Sequence, residues 1–384
     1  MSRHRQSVIA LTLAALLIGA CGDDSSTDDG GDGGDAVDVG DVPSVESGEP
    51  FPDARCEANR AAGTISYLSS FDFAAAASIV EVLVAEERGY FDAMCLDVDI
   101  EASFSVANYP LVAANDAQFS SGGSFSEIVT FAAANEADFV AVAVEGRTAI
   151  DGLIVKPDHA STLEDLRGAS IGVKEKLPSA VTAMLAAAGL VEGTDYETVP
   201  LEGFDPTAHI AIDSIVGFPG WKSNEPGQLE RAGIDFTLFD PTEEGVPGSF
   251  GVLYTNRTFL TEHPSAAQDF VRAAMAGLAD AIVDPAAASA IAVELINGNG
   301  NPNFLSPEGE TFRWATESQL IVDTTPDGTG FGVPDAVVLQ EELDTYASVG
   351  LFGDGDTPIA TDWIDATMIS SIYADDGSII YPGQ

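Results

Sequence analysis

At 384 residues, with 45% hydrophobic and 8% aromatic side chains, the chain can bury more than one core, which excludes a disordered or fibrous class. Its 62 acidic against 15 basic residues give a formal charge of −47. That excludes nucleic acid as a partner, because binding it requires Lys and Arg to neutralise phosphates, and it reads instead as a solvated surface suited to salty surroundings.

Arg3, His4 and Arg5, an apolar run over 8–18 and the small-residue ending Leu17-Ile18-Gly19-Ala20-Cys21 read as an export signal over residues 1–20. The run is too short to span a bilayer. A Cys directly after small residues is similar to a bacterial lipobox, so Cys21 is expected to be lipidated and to become the mature amino terminus. Residues 22–54 hold no Lys or Arg and are rich in Asp, Gly and Ser, so they bury little and repel one another; a tether is drawn over 21–60. This places the folded part on the extracytoplasmic face of a bacterial membrane, anchored but not embedded. With Cys21 lipidated, Cys56 and Cys95 are left as a disulfide pair, as suits an exported protein, or as two buried thiols.

The folded part opens with a strand over Thr64–Leu68, a helix over 74–88 closed by Gly89, and an alternating strand over 96–101. A short helix over 110–114, a strand over 117–119 and a helix over 125–134 follow. The nearly continuous apolar run 139–144 reads as a central parallel strand. Residues 152–155 read as the crossing into a second lobe, where the pattern repeats: a short helix over 162–166, strand 169–173, helix 178–188 ended by Gly189, and a strand near 198–200. Beyond residue 217 come a helix over 228–231 and strand 236–239, then a return crossing over 251–255. The remainder is helix-rich, with runs over 266–283, 286–296 and 336–349. Lobe 1 is therefore drawn over 61–150 plus 254–384 and lobe 2 over 151–253.

Three stretches could hold a ligand. Ser120-Ser121-Gly122-Gly123-Ser124 precedes a helix and offers backbone N–H groups and hydroxyls, with Ser121, Gly122 and Ser124 as candidates. Lys174-Glu175-Lys176-Leu177 joins a strand to a helix, where ligands of open α/β sheets gather, and adds Lys174, Lys176 and Ser179. Gly217 to Pro226 places Phe218 and Trp221 beside Lys222, Asn224 and Glu225, as a loop gripping a small polar aromatic ligand would. The four lysines of the chain, Lys156, Lys174, Lys176 and Lys222, all fall between residues 156 and 222.

The order of these features resembles the solute-binding proteins of ABC importers, of the class similar to alkanesulfonate-binding and thiamin-pyrimidine-precursor-binding proteins. The resemblance rests on Asp72-Phe73, Val84-Ala85-Glu86-Glu87-Arg88-Gly89-Tyr90-Phe91, Leu96-Asp97-Val98, Ala117-Gln118-Phe119, Leu163-Glu164-Asp165-Leu166-Arg167-Gly168, Gly220-Trp221, Gly332-Val333 and Gly350-Leu351-Phe352. It implies a two-lobed α/β fold of the type II periplasmic-binding-protein kind, with two crossing strands and a ligand cleft between lobes. It also implies a monomer that hands its ligand to an ABC permease and transforms nothing. Asp72 and Phe73 join the site through it, Phe73 and Trp221 sandwiching a planar ring. The pyrimidine binders commonly carry Glu where this chain has Lys222, and a lysine there favours a carboxylate, phosphate or sulfonate.

The expected function is capture of a heterocycle, such as a thiamin pyrimidine precursor or flavin, by hinge closure; the alternative ligand is an alkanesulfonate or other small anion. A lipoprotein sensing a solute for a membrane receptor would use the same closure. A pyrimidine-synthase-like enzyme is disfavoured because that enzyme's cysteine-rich motif is missing, and His159, His209 and His263 accompany no Gly-x-Ser-x-Gly. Neither a cofactor nor a metal site is expected: Asp354-Gly355-Asp356 lacks calcium-loop spacing.

Overall fold

The computed structural model describes residues 42–383, apart from 175, 204, 300–305 and 354. The signal over 1–20, Cys21 and most of the tether lie outside the described residues. The end of the tether does not: Asp53–Ala61 is helix α1. Arg55 in it is 1% exposed and its guanidinium meets the Asp269 carboxylate at 2.6 Å, with Asn59 donating to the same carboxylate. An Arg buried against a carboxylate belongs to a folded domain, so the tether ends before residue 53. The Cys56–Cys95 disulfide ties α1 to the turn before the second strand.

The first lobe takes β1 (Thr64–Leu68), α2 (Val80–Glu87), α3 (Tyr90–Ala93), β2 (Asp97–Glu101), α4 (Ser105–Ala113), β3 (Phe119–Gly122), α5 (Phe125–Asn135) and β4 (Phe139–Gly146). The second holds β5 (Asp151–Val155), β6 (Ala169–Val173), α6 (Ser179–Ala187), β7 (Tyr196–Pro200), α7 (Pro206–Ile210), β8 (Gly217–Trp221), α8 (Glu225–Arg231) and β9 (Thr237–Phe239). The chain returns through β10 (Phe250–Asn256) to α9 (Arg257–Glu262), α10 (Pro264–Val283), α11 (Pro285–Asn299), α12 (Pro307–Thr324), α13 (Ala336–Ser348) and α14 (Ala366–Ser370). The sheets run β2-β1-β3-β10-β4 and β7-β6-β8-β5-β9. Each mixes parallel pairs, β1 with β2 and β3, β6 with β7 and β8, and antiparallel ones made by β10 and β5.

Several expectations shift. The run 139–144 is an edge strand antiparallel to β10, and its full burial comes from later segments: Val144 N–H donates to Gly332 and Ala141 bridges to Ile364. Residues 152–155 and 251–255 are strands inside the two sheets, so the crossings are 147–150 and 240–249. There the Thr148 and Thr242 hydroxyls meet at 2.6 Å. β10 already pairs with β4 from Phe250.

The helix expected from residue 74 starts at Val80, because three earlier N–H groups point elsewhere. Ala75 donates to Glu310, Ala77 to Glu317 and Ser78 to Glu145. In the lobe-1 core Phe119 stacks on Phe270 at 4.0 Å, and each such fully buried side chain contributes about 1.5–3 kcal/mol. α10 lies so close on α2 that a Cβ at Gly277 would sit 2.1 Å from the Glu81 carbonyl oxygen, so only glycine fits.

Candidate functional site

The segment expected as a gripping loop is half strand. Gly217 to Trp221 pairs in register with Asp151 to Val155, and alternation along β8 sends Phe218 into the lobe-2 core with Ile154, Ile215 and Leu229. Trp221, at the strand's end, stays 38% exposed. The Glu225 carboxylate accepts its N–H at 2.8 Å, fixing the strand end.

Two chambers open on either side of that ring. The smaller, about 300 Å³, has Phe71, Ile79 and Phe250 on the lobe-1 side and Lys174, Asn224 and Glu225 on the lobe-2 side. Arg313 and Glu317 of α12 close its end. The larger, about 520 Å³, lies between α5 and α6 and is lined among others by Ser124, Asp151, Lys176, Ser179 and Tyr346. Gly123, Glu127 and Trp221 border both.

The charges facing this cleft are mixed. Glu127 reaches solvent through it but is enclosed by both lobes, which pushes its carboxyl up, and Tyr109 O–H donates to it at 2.8 Å. Enclosure, with Glu127 and Glu225 nearby, raises Asp151 to about 7. Burial lowers Lys174, whose amine lies 4.0 Å from Glu225.

Behind the smaller chamber α12 joins the lobes. Glu317 accepts the Ser223 hydroxyl at 2.6 Å on one oxygen and Ala77 N–H on the other, while Arg313 binds Glu310 at 2.7 Å and Asn224 at 3.2 Å. Burial raises Glu317 to about 7. Glu81 and Glu145 interact deeper in, where burial pushes Glu81 up to about 8 and raises Glu145 as well. The N–H groups ahead of α2, a ready anion site, are thus already bonded to the chain's own carboxylates.

Of the residues singled out from sequence, Gly122, Lys174, Trp221, Asn224 and Glu225 line the smaller chamber, and Ser124, Lys176 and Ser179 the larger. The other five sit elsewhere. Lys222 is held by both Asp240 oxygens at 3.0 and 2.8 Å. Ser121 accepts Ser70 N–H at 2.5 Å, Asp72 accepts its neighbour's N–H, and Phe218 is in the core. Phe73 packs into the lobe-1 core and borders a separate groove near α11, so Phe71, not Phe73, shares the smaller chamber with Trp221. Phe71, Glu127, Asp151, Arg313 and Glu317 were missed. The signal for the last two was Glu310, Arg313 and Glu317 at steps of three and four behind Ser306-Pro307, a helix start with a polar face.

Residues 76–288 match the family profile described as NMT1/THI5 like. The chain belongs to the NMT1/THI5-like family. A curated relative of this NMT1/THI5-like chain is the riboflavin-binding protein RibY of Chloroflexus aurantiacus, 26% identical over 168 residues, 43% of this chain and 44% of that protein. The match therefore spans less than half of that relative's length.

Among solved structures, the alkanesulfonate-binding protein SsuA of Xanthomonas axonopodis pv. citri, bound to MOPS, is similar with TM-score 0.56 and 15% identity, over 78% of this chain and 97% of that one. The periplasmic aliphatic sulphonate binding protein SsuA of Escherichia coli gives 0.57 and 14%, over 79% and 91%. At such identities the likeness is one of fold: a bilobed α/β type II periplasmic-binding-protein fold. Among the described residues, no group of three or more His, Cys, Asp or Glu is placed to hold a metal ion, and no single helix is long and apolar enough to cross a membrane.

Proposed function

We propose that this chain is an extracytoplasmic solute-binding lipoprotein, anchored through Cys21, that captures a small organic molecule by closure of its two lobes and delivers it to the permease of an ABC importer. The position of Trp221 carries this reading. A large ring left 38% exposed where both lobes and both chambers meet is matched to a ligand that both lobes touch at once. Contacts made on both lobes only in the shut form favour that form by their differential free energy.

Two ligand classes follow, each from its own observation. A sulfonate or other small anion is supported by the two solved relatives, which bind sulfonates by name, and by Lys174, Lys176 and Ser179 at the start of α6. The comparisons weigh more on this side. The cleft's chemistry weighs on the other: Glu127, Asp151, Glu225 and Glu317 face it, the donors ahead of α2 are bonded to carboxylates, and the Lys222 amine is held by Asp240. Carboxylates among Trp221, Phe71 and Phe250 suit a planar heterocycle bearing N–H or O–H donors, the class to which the ligand named for RibY belongs. On the geometry, the heterocycle is the ligand class we propose.

Thermal-shift titration with hydroxymethyl and formylamino pyrimidines, thiamin, riboflavin, taurine and aliphatic sulfonates tests both. A ligand at a hundred times its Kd adds about 2.7 kcal/mol of stability. The shift is expected from a heterocycle, and Trp221→Ala should weaken binding by about tenfold or more with the ligand-free melting temperature unchanged. Full affinity in that variant places the ligand outside the cleft.

A further inference from the structure

A glycine inside helix α8 has no local explanation. Gly227 is buried within Glu225–Arg231 and is not among the positive-φ residues, so its backbone does not require glycine and alanine would form the helix better. The reason lies on the other lobe: a Cβ at residue 227 would sit 2.5 Å from Phe312 Cδ1 of α12, and the three atoms nearest to it all belong to that ring. The contact is one of a row, in which residue numbers rise along α8 as they fall along α12. Ser223 O–H donates to Glu317 at 2.6 Å, and Arg313 donates to Asn224 at 3.2 Å. Gly227 then meets Phe312, and the Arg231 guanidinium lies 5.8 Å from the centre of the same ring. Both helices are tied to one crossing: Lys222 N–H donates to Ile150 just before α8, and Arg147 N–H donates to the Thr324 hydroxyl at the end of α12. Asn224, Arg313 and Glu317 of this seam also line the smaller chamber.

We propose that the seam between α8 and α12 sets the separation of the two lobes, and that Gly227 is the positioning residue in it. With no side chain at 227, α8 rests directly on Phe312, and the width that the smaller chamber offers a ligand follows from that contact. The assignment rests on capture of a ligand between the lobes and names what holds the two walls at binding distance. A side chain at 227 would press on a ring that is half-buried and has Arg231 over it, and would part the walls on which Phe71 and Trp221 stand. A ligand gripped from both sides loses contacts on one of them when the walls part.

Spin labels at Val106→Cys of lobe 1 and Val191→Cys of lobe 2, two exposed positions, read the lobe separation by pulsed electron paramagnetic resonance in the ligand-free exported protein. Gly227→Leu should shift that distance. It should also weaken, by about tenfold or more, whichever of hydroxymethyl pyrimidine, riboflavin and taurine the unaltered protein binds. Adding Phe312→Ala should restore both the distance and the affinity, which damage confined to α8 would not allow. Gly227→Ala, the smaller wedge, should fall between, with no gain in melting temperature from its better helix propensity. An unshifted distance in a folded Gly227→Leu variant overturns the proposal, as does a shift that Phe312→Ala leaves in place. If Gly227→Leu does not fold, Gly227→Ala decides by the same two criteria. If none of the three compounds binds the unaltered protein, capture of these ligand classes falls, and the label distances still decide the seam.

Discussion

The last residue of β8 and the one after it do opposite things. Trp221 ends the strand on the cleft side, and the next side chain turns away, so the Lys222 ammonium lies against Asp240 with 9% of its surface exposed. Read along the chain, Lys222 looks like the cation beside the aromatic; in space the charged groups that share the smaller chamber with the ring include Glu127, Glu225 and Lys174. Replacing Lys222 with Met should leave ligand affinity within about threefold and cost about 2 kcal/mol of stability, because Asp240 is left half-buried without its cation. Denaturant midpoints together with binding titrations measure both. Lost affinity at intact stability would return Lys222 to the site.

Among the elements, α12 decides most. It places Glu310 and Glu317 against N–H groups ahead of α2, and Ser223 and Asn224 of the other lobe against Glu317 and Arg313. Below their folded pKa values, about 7 for Glu317 and about 8 for Glu81, these two groups keep protons that the unfolded chain releases near 4.5. Their contribution is complete below about 4.5 and is lost as pH rises through 7 and 8, so stability should fall toward alkaline pH by several kcal/mol. Glu81→Gln should flatten that fall, read as melting temperature between pH 5 and 9; an unchanged slope would remove the buried carboxyls as its cause.

Periodic elements were legible: β1, β6, α5, α10 and α13 lie where apolar spacing puts them. α12 was not, since burying Glu310, Arg313 and Glu317 with Trp314 blurs its apolar period. From sequence β8 reads as a loop because Gly217, Pro219 and Gly220 carry turn composition, and its strand pairing comes from β5, 62 to 70 residues earlier in register. The cleft was legible where one short stretch supplies it, as at Trp221 and Lys174, and the polar face of α12 offered a signal for Glu317; Phe71 and Asp151 enter through contacts that no local pattern encodes.

At the scale of the whole chain, the charge of −47 predicts a second loss of stability with rising pH, since deprotonation adds to self-repulsion. Its sign is the same as that of the buried carboxyls, so a pH series alone cannot separate them. Salt can: the Debye length shrinks from about 10 Å at 0.1 M to about 3 Å at 1 M, which quenches repulsion between surface carboxylates but barely reaches Glu81, Glu145 and Glu317, each at most 1% exposed. Melting temperature should therefore rise from 0.1 to 1 M sodium chloride at every pH above 5, while the part of the pH slope removed by Glu81→Gln stays the same at both salts. A melting temperature indifferent to salt would mean that the acidic surface is already neutralised by bound counter-ions or spaced too widely to repel. A Glu81-dependent slope that collapsed in salt would place that carboxyl within reach of solvent, and with it the wall behind the ligand cleft.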